Sequence, residues 1–235
     1  MSRILPESWR NALSKIVTIG LPGSCLLCGG DCPSVLCREC EGELPGLGPG
    51  CPLCAEPTTH GERCGRCLQH PPAFDRVHAL FAYAFPVDRL IQACKYGGEL
   101  AVAAHFGRLL GERLAGCHFD RIVPVPLHAD RLRQRGYNQA LELARPVARC
   151  LNSTLDPRIL QRPRATAIQA DLPLKERAGN MRGAFWVGGD LSGQRLLLVD
   201  DVLTTGATAG ECARALKLHG ATAVEVAVVA RTPRF

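Results

Sequence analysis

Four Cys-x2-Cys pairs constrain this chain more than any other feature. Of its 13 cysteines, nine lie between Cys25 and Cys67, and the other four are scattered. A two-residue spacer lets both sulfurs of a pair face one metal ion, and two pairs complete a tetrahedral site of four thiolates. The pattern predicts about two closed, structural zinc sites in a double zinc ribbon, with these ligands: Cys25, Cys28, Cys37, Cys40, Cys51, Cys54, Cys64 and Cys67.

The spacing leaves the grouping of the pairs open. Sequential grouping joins the first two pairs and the last two, and crossed grouping is the alternative. Cys32 lies outside the four pairs and either replaces a neighbouring ligand or is spare. Disulfides, buried free thiols or an iron–sulfur cluster are further alternatives for cysteines in such a cluster.

The sequence predicts a cytoplasmic protein without a membrane span. The apolar stretch 16–27 is short, is broken by Pro22 and Gly23, and lacks the cleavage pattern of a secretory signal. A reducing compartment keeps clustered thiols free for metal, which agrees with the zinc interpretation. The net charge of +6 mildly favours anionic partners and decides nothing by itself.

The chain divides into three predicted regions. Residues 1–22 contain an amphipathic helix at 4–19, residues 23–72 form the Cys-rich ribbon module without a core of its own, and residues 73–235 form an α/β domain. In the last region strands alternate with single helices, which predicts a parallel sheet covered by helices on both faces. Strands are predicted at 77–85, 121–125, 194–200 and 223–230, and helices at 87–95, 100–114, 138–151 and 207–219.

The segment 196–211 carries the clearest chemistry. An apolar strand runs into Asp200 and Asp201, then into a Thr-rich turn with Gly206, and then into a helix. Backbone amides at a helix N-terminus bind anions, and adjacent carboxylates suit sugar hydroxyls and Mg²⁺. A ribose phosphate fits both features, because its phosphate suits the amides and its hydroxyls suit the carboxylates. The alternative is an ordinary turn in which one of these residues caps the helix.

Two further polar segments fit the same ligand. Arg131, Arg133 and Arg135 stand in a basic, Gly-containing loop before the helix at 138–151, where a pyrophosphate could bind. The run 162–182 is polar and rich in helix breakers, as expected of a lid, with an exposed basic loop as the alternative. Lys95 is a candidate for pyrophosphate contact, or simply a favourable charge at a helix C-terminus.

Several independent motifs together resemble the ComF family, which includes ComFC and GntX. They are the Cys pairs, the run 95–99 (Lys-Tyr-Gly-Gly-Glu), Val-Pro-Val-Pro followed by Arg-Gly-Tyr-Asn at 135–138, the Thr166, Gln169, Arg177 and Asn180 pattern, and Val-Asp-Asp-Val-Leu-Thr-Thr-Gly at 199–206. The last motif also resembles the phosphoribosyl pyrophosphate (PRPP) loop of type I phosphoribosyltransferases. The additional Cys32 makes ligand assignment less secure in the first ribbon than in the second.

The resemblance implies a type I phosphoribosyltransferase-like fold, PRPP as ligand with Mg²⁺, and a link to DNA uptake in natural transformation. It implies that Asp200 and Asp201 hold the ribose hydroxyls and, with Arg135, form the catalytic set. The other residues implied in PRPP binding are Thr204, Thr205, Gly206, Ala207, Thr208, Lys95, Arg131 and Arg133.

Two functions compete at this point. One is an enzyme that transfers or hydrolyses a phosphoribosyl group through an oxocarbenium-like state. The other is a competence factor that binds single-stranded DNA through the ribbons and basic loops, with a regulatory or non-reactive PRPP pocket. Only 12 aromatic residues are present, so the sequence shows no extended stacking surface. A ribbon module that serves as a protein docking surface is a third hypothesis.

Overall fold

The computed structural model describes residues 23–163 and 183–233. The predicted helix at 4–19 and positions 164–182 of the predicted lid lie outside the described residues. Among the helices in the described part of the chain, none combines the length and apolar character needed to cross a membrane.

Each zinc ribbon contains one short helix that starts at a cysteine pair. Helix α1 spans Arg38–Gly42 with Cys37 at its N-cap, and helix α2 spans Gly65–Gln69 with Cys64 at its N-cap. The other pair of each ribbon sits in a tight turn, closed by Gly29 N–H to Cys25 C=O (2.8 Å) in the first ribbon and by Ala55 N–H to Cys51 C=O (2.9 Å) in the second.

The remaining chain builds a parallel five-stranded sheet of order β1-β7-β6-β2-β3, as the alternating pattern predicts. Its strands are β1 (Arg76–Ala82), β2 (Arg121–Pro124), β3 (Thr154–Leu155), β6 (Arg195–Leu203) and β7 (Ala223–Arg231). Strands β4 (Leu160–Gln161) and β5 (Trp186–Val187) form a separate antiparallel pair. The sequence analysis did not predict β3 or this pair, because two-residue strands are too short to show periodicity.

Five helices complete the described part of this domain. They are α3 (Val87–Tyr96), α4 (Leu100–Arg113), α5 (Ala129–Arg135), α6 (Gln139–Leu151) and α7 (Ala207–Leu218). Four of them match predicted helices within a residue or two. Helix α5 lies where a basic loop was predicted; it is short, and every residue in it is at least partly exposed, so no apolar stripe signals it.

Alternate residues of the central strands feed two apolar cores, one on each face of the sheet. Leu197 and Val199 pack toward α3, α4 and α6, whereas Leu196 and Leu198 pack toward α7. Burial on both faces explains why β6 reads as a continuous apolar run. On the first face α4 approaches α6 closely, since a Cβ at Gly107 would lie 2.3 Å from Pro146 Cγ.

The first zinc ribbon joins this core, as expected of a module without its own. Its buried side chains belong to the same cluster as Leu90 and Phe106; they are Cys25, Leu27, Cys32, Leu36, Cys40 and Leu44. Gly46 also forms an antiparallel bridge with Phe81 near the end of β1. The domain boundary at 72/73 stays a prediction, and this packing runs across it.

Candidate functional site

A cleft of about 1070 Å³ opens at the carboxyl ends of β6 and β2. Ligands of open α/β sheets bind at this edge, where strand ends and helix N-termini converge. Except for Arg133, every residue predicted to bind PRPP or to act in catalysis lines this cleft; they are Lys95, Arg131, Arg135, Asp200, Asp201, Thr204, Thr205, Gly206, Ala207 and Thr208. The structure therefore brings together three segments that are far apart in the chain.

The two carboxylates stand in the last part of β6 and differ in their partners. Asp201 forms an ion pair with Lys95, with 2.7 Å between Lys95 Nζ and Asp201 Oδ2. Burial raises the pKa of Asp200 to about 8, and the neighbouring Asp201 charge adds to that rise. Burial would lower the pKa of Lys95, but the charge of Asp201 outweighs it and raises that pKa. Lys95 is therefore the charge partner of the acid pair, at the end of α3.

The loop after β6 turns directly into α7. Gly206 is the N-cap with a φ of +79°, a left-handed conformation that favours glycine. Thr205 Oγ1 accepts a hydrogen bond from Ala207 N–H at 3.2 Å. This bond closes a local turn, whereas the N-cap of α7 is a glycine without a side-chain cap, so the capping alternative is not what the structure shows. Thr204 and Thr208 also line the cleft.

The basic segment contributes two of its three arginines to the cleft. Arg131 and Arg135 line it, and the Arg135 guanidinium lies 5.2 Å from the centre of the Tyr96 ring. Arg133 is exposed, pairs with Asp130 and is not among the lining residues. Its role in PRPP binding stays a prediction.

Helix α6 is tied to the end of β2 beside this cleft. Asn138 starts the helix by accepting a hydrogen bond from Ala140 N–H at 3.1 Å, and its side-chain amide donates to Val125 C=O at 3.1 Å. The short segment between α5 and α6 is therefore fixed to the sheet edge on which the cleft opens.

Three residues that line the cleft, Tyr96, Tyr137 and Arg162, belong to segments noted in the sequence but were not predicted as site residues. Tyr96 is 79% exposed at the cleft, and Tyr137 donates its hydroxyl to the Cys94 carbonyl. Arg162, the first residue of the predicted lid, lines the cleft and stacks over Phe185 at 5.7 Å. Away from the cleft lining, sequence reasoning also assigned no role to Arg231, which ends β7 beside Leu203 and is buried. A charge that closes an apolar strand was the available signal for Arg231.

The eight paired cysteines form two separate groups, which confirms the sequential grouping. Within each group all four sulfurs lie within 4.8 Å of one another. Sγ–Sγ distances of 3.8 Å (Cys28 to Cys37) and 3.6 Å (Cys54 to Cys64) match the separation of about 3.8 Å set by tetrahedral zinc with bonds of ~2.3 Å. Cys32 belongs to neither group, and its sulfur contacts Ser34 Oγ at 3.2 Å.

Backbone amides prepare one thiol of each group for metal. Burial raises the pKa of Cys25, but amide donors, chiefly those of Cys28 and Cys37, outweigh it and lower that pKa to about 7. Burial opposes the amide donors at Cys51 in the same way, and its pKa is also lowered to about 7. Zinc binds thiolates, so these groups fit two closed structural zinc sites.

Two family models match this chain. The Double zinc ribbon domain matches residues 16–68, and the Phosphoribosyl transferase domain matches residues 160–234. Among solved structures, the chain is similar to a purine phosphoribosyltransferase from Pyrococcus horikoshii OT3, with 20% identity, a TM-score of 0.36, and coverage of 54% of this chain and 70% of that one.

Relatives of similar length extend the match over most of the chain. DNA utilization protein YhgH of Escherichia coli strain K12 is 37% identical over 225 residues, which cover 90% of this chain and 98% of the relative. Competence protein F of Haemophilus influenzae is 30% identical, with 88% and 96% covered, and Competence protein ComFC of Streptococcus pneumoniae is 28% identical, with 80% and 84% covered. With its double zinc ribbon and its phosphoribosyltransferase-like sheet, this chain belongs to the ComF family.

Proposed function

We propose that this protein binds PRPP with Mg²⁺ in the cleft and transfers or hydrolyses its phosphoribosyl group in the cytosol. One observation carries the proposal. The acid pair, the loop at the start of α7 and the arginines of α5 line a single cleft, in an arrangement that suits a phosphorylated sugar bearing a pyrophosphate.

The loop from Thr204 to Thr208 would hold the 5′-phosphate. Helix α7 is 12 residues long, and its N-terminus presents backbone amides and a partial positive charge to the cleft. Gly206 lets the backbone approach an anion closely, because no Cβ stands in the way. The threonine hydroxyls supply further donors to the phosphate oxygens.

Asp200 and Asp201 would accept hydrogen bonds from the ribose hydroxyls. Carboxylate oxygens are also the ligands that Mg²⁺ prefers, so this acid pair fits the ion chemically. Mg²⁺, when bound with the ligand, supplies charge neutralisation for the pyrophosphate. Lys95 neutralises Asp201 in the ligand-free chain, so ligand binding would exchange one partner of Asp201 for another.

Arg131, Arg135 and Lys95 would stabilise the leaving pyrophosphate. Cleavage of the C1–oxygen bond leaves positive charge on the ribose and negative charge on the leaving group, and fixed cations at the leaving group lower that barrier. Arg135 is held for this role by Gln139, to which it donates a hydrogen bond, and by the Tyr96 ring. Arg133 would add a weaker, screened contribution from the surface.

Calorimetry with PRPP and Mg²⁺ tests the binding site. We expect Asp200→Asn with Asp201→Asn to lower PRPP affinity at least about 100-fold, since it removes both carboxyl groups that would accept from the ribose hydroxyls and bind Mg²⁺. Glu43→Gln with Glu112→Gln is the matched control, because it removes the same charge from exposed positions. Unchanged affinity in the aspartate variant, with circular dichroism like that of the wild type, would disprove the site.

Pyrophosphate release tests turnover. PRPP and Mg²⁺ are incubated with a panel of nucleobases and with water alone as acceptor. Release that disappears in Arg135→Gln supports an enzyme, because this change removes a leaving-group cation. Tight PRPP binding without release under every condition would instead support a regulatory pocket.

The second candidate is the binding of single-stranded DNA, and the relatives named for DNA utilization and competence favour a link to DNA. Exposed Arg133 and exposed Tyr96 lie on or beside the cleft and offer a phosphate contact and a stacking surface. Both functions can share this surface, since PRPP and a DNA strand each present phosphates.

Fluorescence anisotropy with a labelled oligonucleotide tests this candidate. We expect Arg131→Gln with Arg133→Gln to weaken binding and to flatten its salt dependence by about two in logarithmic slope. Arg113→Gln with Arg149→Gln is the control, because both arginines are exposed at the ends of α4 and α6. Equal effects of the two variants would show that general charge, and not this surface, attracts the strand.

A further inference from the structure

Arg231 is a buried charge at the carboxyl edge of the sheet. It ends β7, is paired in register with Leu203 of β6, and is 2% exposed. A guanidinium stays charged at any ordinary pH, so its burial is tolerated only where acceptors surround it. The identity of those acceptors shows which parts of the protein this side chain connects.

The acceptors come from the second zinc ribbon, from the start of the predicted phosphate loop and from the adjacent Thr232, whose carbonyl accepts from Nη1 at 2.6 Å. On the ribbon side, Nε donates to the Cys54 carbonyl at 3.0 Å, and Nη2 donates to the Glu56 carboxylate. On the loop side, Nη1 donates to the carbonyls of Leu203 (3.0 Å) and Thr204 (2.6 Å). One side chain thus joins a predicted zinc ligand to the loop.

A second arginine repeats this connection. Arg66, which lies between Cys64 and Cys67 in α2, donates from Nη1 to the Thr205 carbonyl at 3.0 Å. Three consecutive carbonyls, those of residues 203 to 205, therefore accept hydrogen bonds from two guanidinium groups. Arg66 belongs to the second ribbon, and Arg231 is hydrogen-bonded to it. Phe74, which follows that ribbon, is buried and packs against the same turn, since a Cβ added to Gly206 would meet its ring at 3.6 Å.

The first ribbon is attached elsewhere. Its Pro45 carbonyl accepts from Ala82 N–H at 2.8 Å, and its Glu41 lies 2.9 Å from His105 of α4. These contacts reach the end of β1 and the helical layer. The two ribbons each have four cysteine ligands but contact different parts of the domain, so the first ribbon can serve as a control for the second.

Holding the carbonyls also orients the amides. In a trans peptide the C=O and the following N–H point in opposite directions, so carbonyls at 203 to 205 that face the guanidinium groups turn the amides of 204 to 206 away from them. An anion-binding loop depends on the direction of these amides. The ribbon contacts therefore set the property on which phosphate binding would depend.

We propose that the second zinc ribbon positions the phosphate loop through Arg231 and Arg66, so that zinc in the second site and a phosphorylated ligand in the cleft stabilise each other. The inference rests on the proposed function for the ligand, while the effect on the loop itself is independent of it. Arg231 is in these terms a positioning residue. Coupling between two binding equilibria is reciprocal, so each partner must protect the other by the same factor.

Hydrogen exchange of the ligand-free, full-length protein tests whether the second zinc ribbon orders the phosphate loop. We expect Cys64→Ser, in the second ribbon, to speed exchange of the peptide covering 203–208 by about 5- to 150-fold, the range of typical coupling. Cys28→Ser, in the first ribbon, should leave that peptide unchanged. Arg66→Gln gives a second measurement that keeps all eight predicted cysteine ligands. Because Arg66 is exposed, this change should not disturb the fold. The inference would be wrong if the exchange rate of 203–208 were the same as in the wild type in both Cys64→Ser and Arg66→Gln.

Zinc release to a chromogenic chelator tests the reciprocal half. Saturating ribose 5-phosphate, used without Mg²⁺, should slow release of one of the two zinc ions by a similar factor. In Arg231→Lys and Arg66→Gln the zinc content should stay at two while this protection is lost, an outcome that a merely structural role would not produce. Equal protection of both ions, or of neither, would contradict the coupling.

The two proposals fail in different ways. If calorimetry shows no binding of PRPP or ribose 5-phosphate to the wild type, the proposed function fails, and the exchange measurement still decides whether the ribbon orders the loop. If the wild type binds PRPP but the exchange of 203–208 ignores the second ribbon, the positioning role fails alone.

Discussion

The two zinc ribbons use the same four-thiolate chemistry but are attached to the protein by different forces. The first contributes apolar side chains such as Leu36 to the core beneath α3 and α4. The second contributes mainly polar contacts, in which Arg231 and Arg66 join it to the loop after β6. Two metal sites of the same chemistry can therefore be expected to act differently, one on the stability of the core and the other on the geometry of a loop.

Removal of zinc should have the largest effect, and the first site should matter more for stability. We expect about two zinc ions per chain, and structural zinc contributes on the order of 10 kcal/mol to folding in small zinc domains. Cys25→Ser with Cys28→Ser should therefore lower the melting temperature more than Cys51→Ser with Cys54→Ser. Elemental analysis and thermal unfolding measure both. Metal-free protein with oxidised thiols, or equal losses of stability, would contradict this prediction.

Two leucines, one in each ribbon, compare the apolar attachment directly. Leu36 is 2% exposed and Leu68 is 66% exposed. Leu36→Ala should reduce the free energy of unfolding by about 2–5 kcal/mol, because it leaves a cavity in the shared core. Leu68→Ala should change it by less than about 0.5 kcal/mol. Denaturant unfolding measures both, and similar values would show that the two ribbons are attached alike.

The cleft carries an electrostatic penalty at Asp200, three residues before the loop to which the second ribbon is joined. The pKa of Asp200 is raised from 3.8 to about 8, so the folded chain binds more protons than the unfolded chain between these values. Stability of the ligand-free protein should fall as pH rises through this window, by an amount on the order of a few kcal/mol. Asp200→Asn should remove most of this fall.

Denaturant midpoints at about pH 5 and about pH 8 measure that difference. Asp190→Asn is the control, because this exposed carboxyl has a pKa lowered chiefly by its hydrogen bond from the Ser192 side chain and stays ionised at both values. Its profile should run parallel to that of the wild type. A parallel profile for Asp200→Asn as well would mean that Asp200 is already ionised in the ligand-free protein.

Two glutamates compare the polar attachment of the ribbons and should give the smallest effects. Glu56→Gln removes the carboxylate partner of a buried, permanently charged guanidinium and should destabilise the protein by about 1.5–3 kcal/mol. Glu41→Gln should have an effect below about 1 kcal/mol, because Glu41 is partly exposed and burial lowers the pKa of its partner His105, which weakens the charge attraction between them. Chemical denaturation measures both changes, and a larger effect at Glu41 would reverse the proposed contrast.

Local patterns in the sequence predicted much of the fold. The apolar run of β6 and the strand–helix alternation mark elements whose residues are neighbours along the chain. Helix α5 and the strands of two residues escaped prediction, since neither buries a periodic apolar face. The basic residues of α5 were nevertheless found, because their charge is visible without knowing their conformation.

The candidate site was only partly predictable for the same reason. Asp200, Asp201 and the threonine turn lie within one short segment and could be found together. Two contacts at or near the site join residues from distant parts of the chain. One is the ion pair between Lys95 and Asp201, and the other is the hydrogen bond from Arg231 to the Cys54 carbonyl. Their partners depend on which strands are neighbours, a property that no local pattern contains.

Spacing within a few residues was enough to predict the eight paired cysteines, about two zinc ions and a strand–turn–helix suited to a phosphate. Which ribbon contacts that turn depends on the order of the strands and could not be predicted locally. The sheet order β1-β7-β6-β2-β3 puts the end of β7 beside the end of β6, and the Arg231 side chain then reaches Cys54, 177 residues earlier in the chain. A buried guanidinium must find acceptors wherever the fold places it, and here the fold placed it between the second ribbon and the loop.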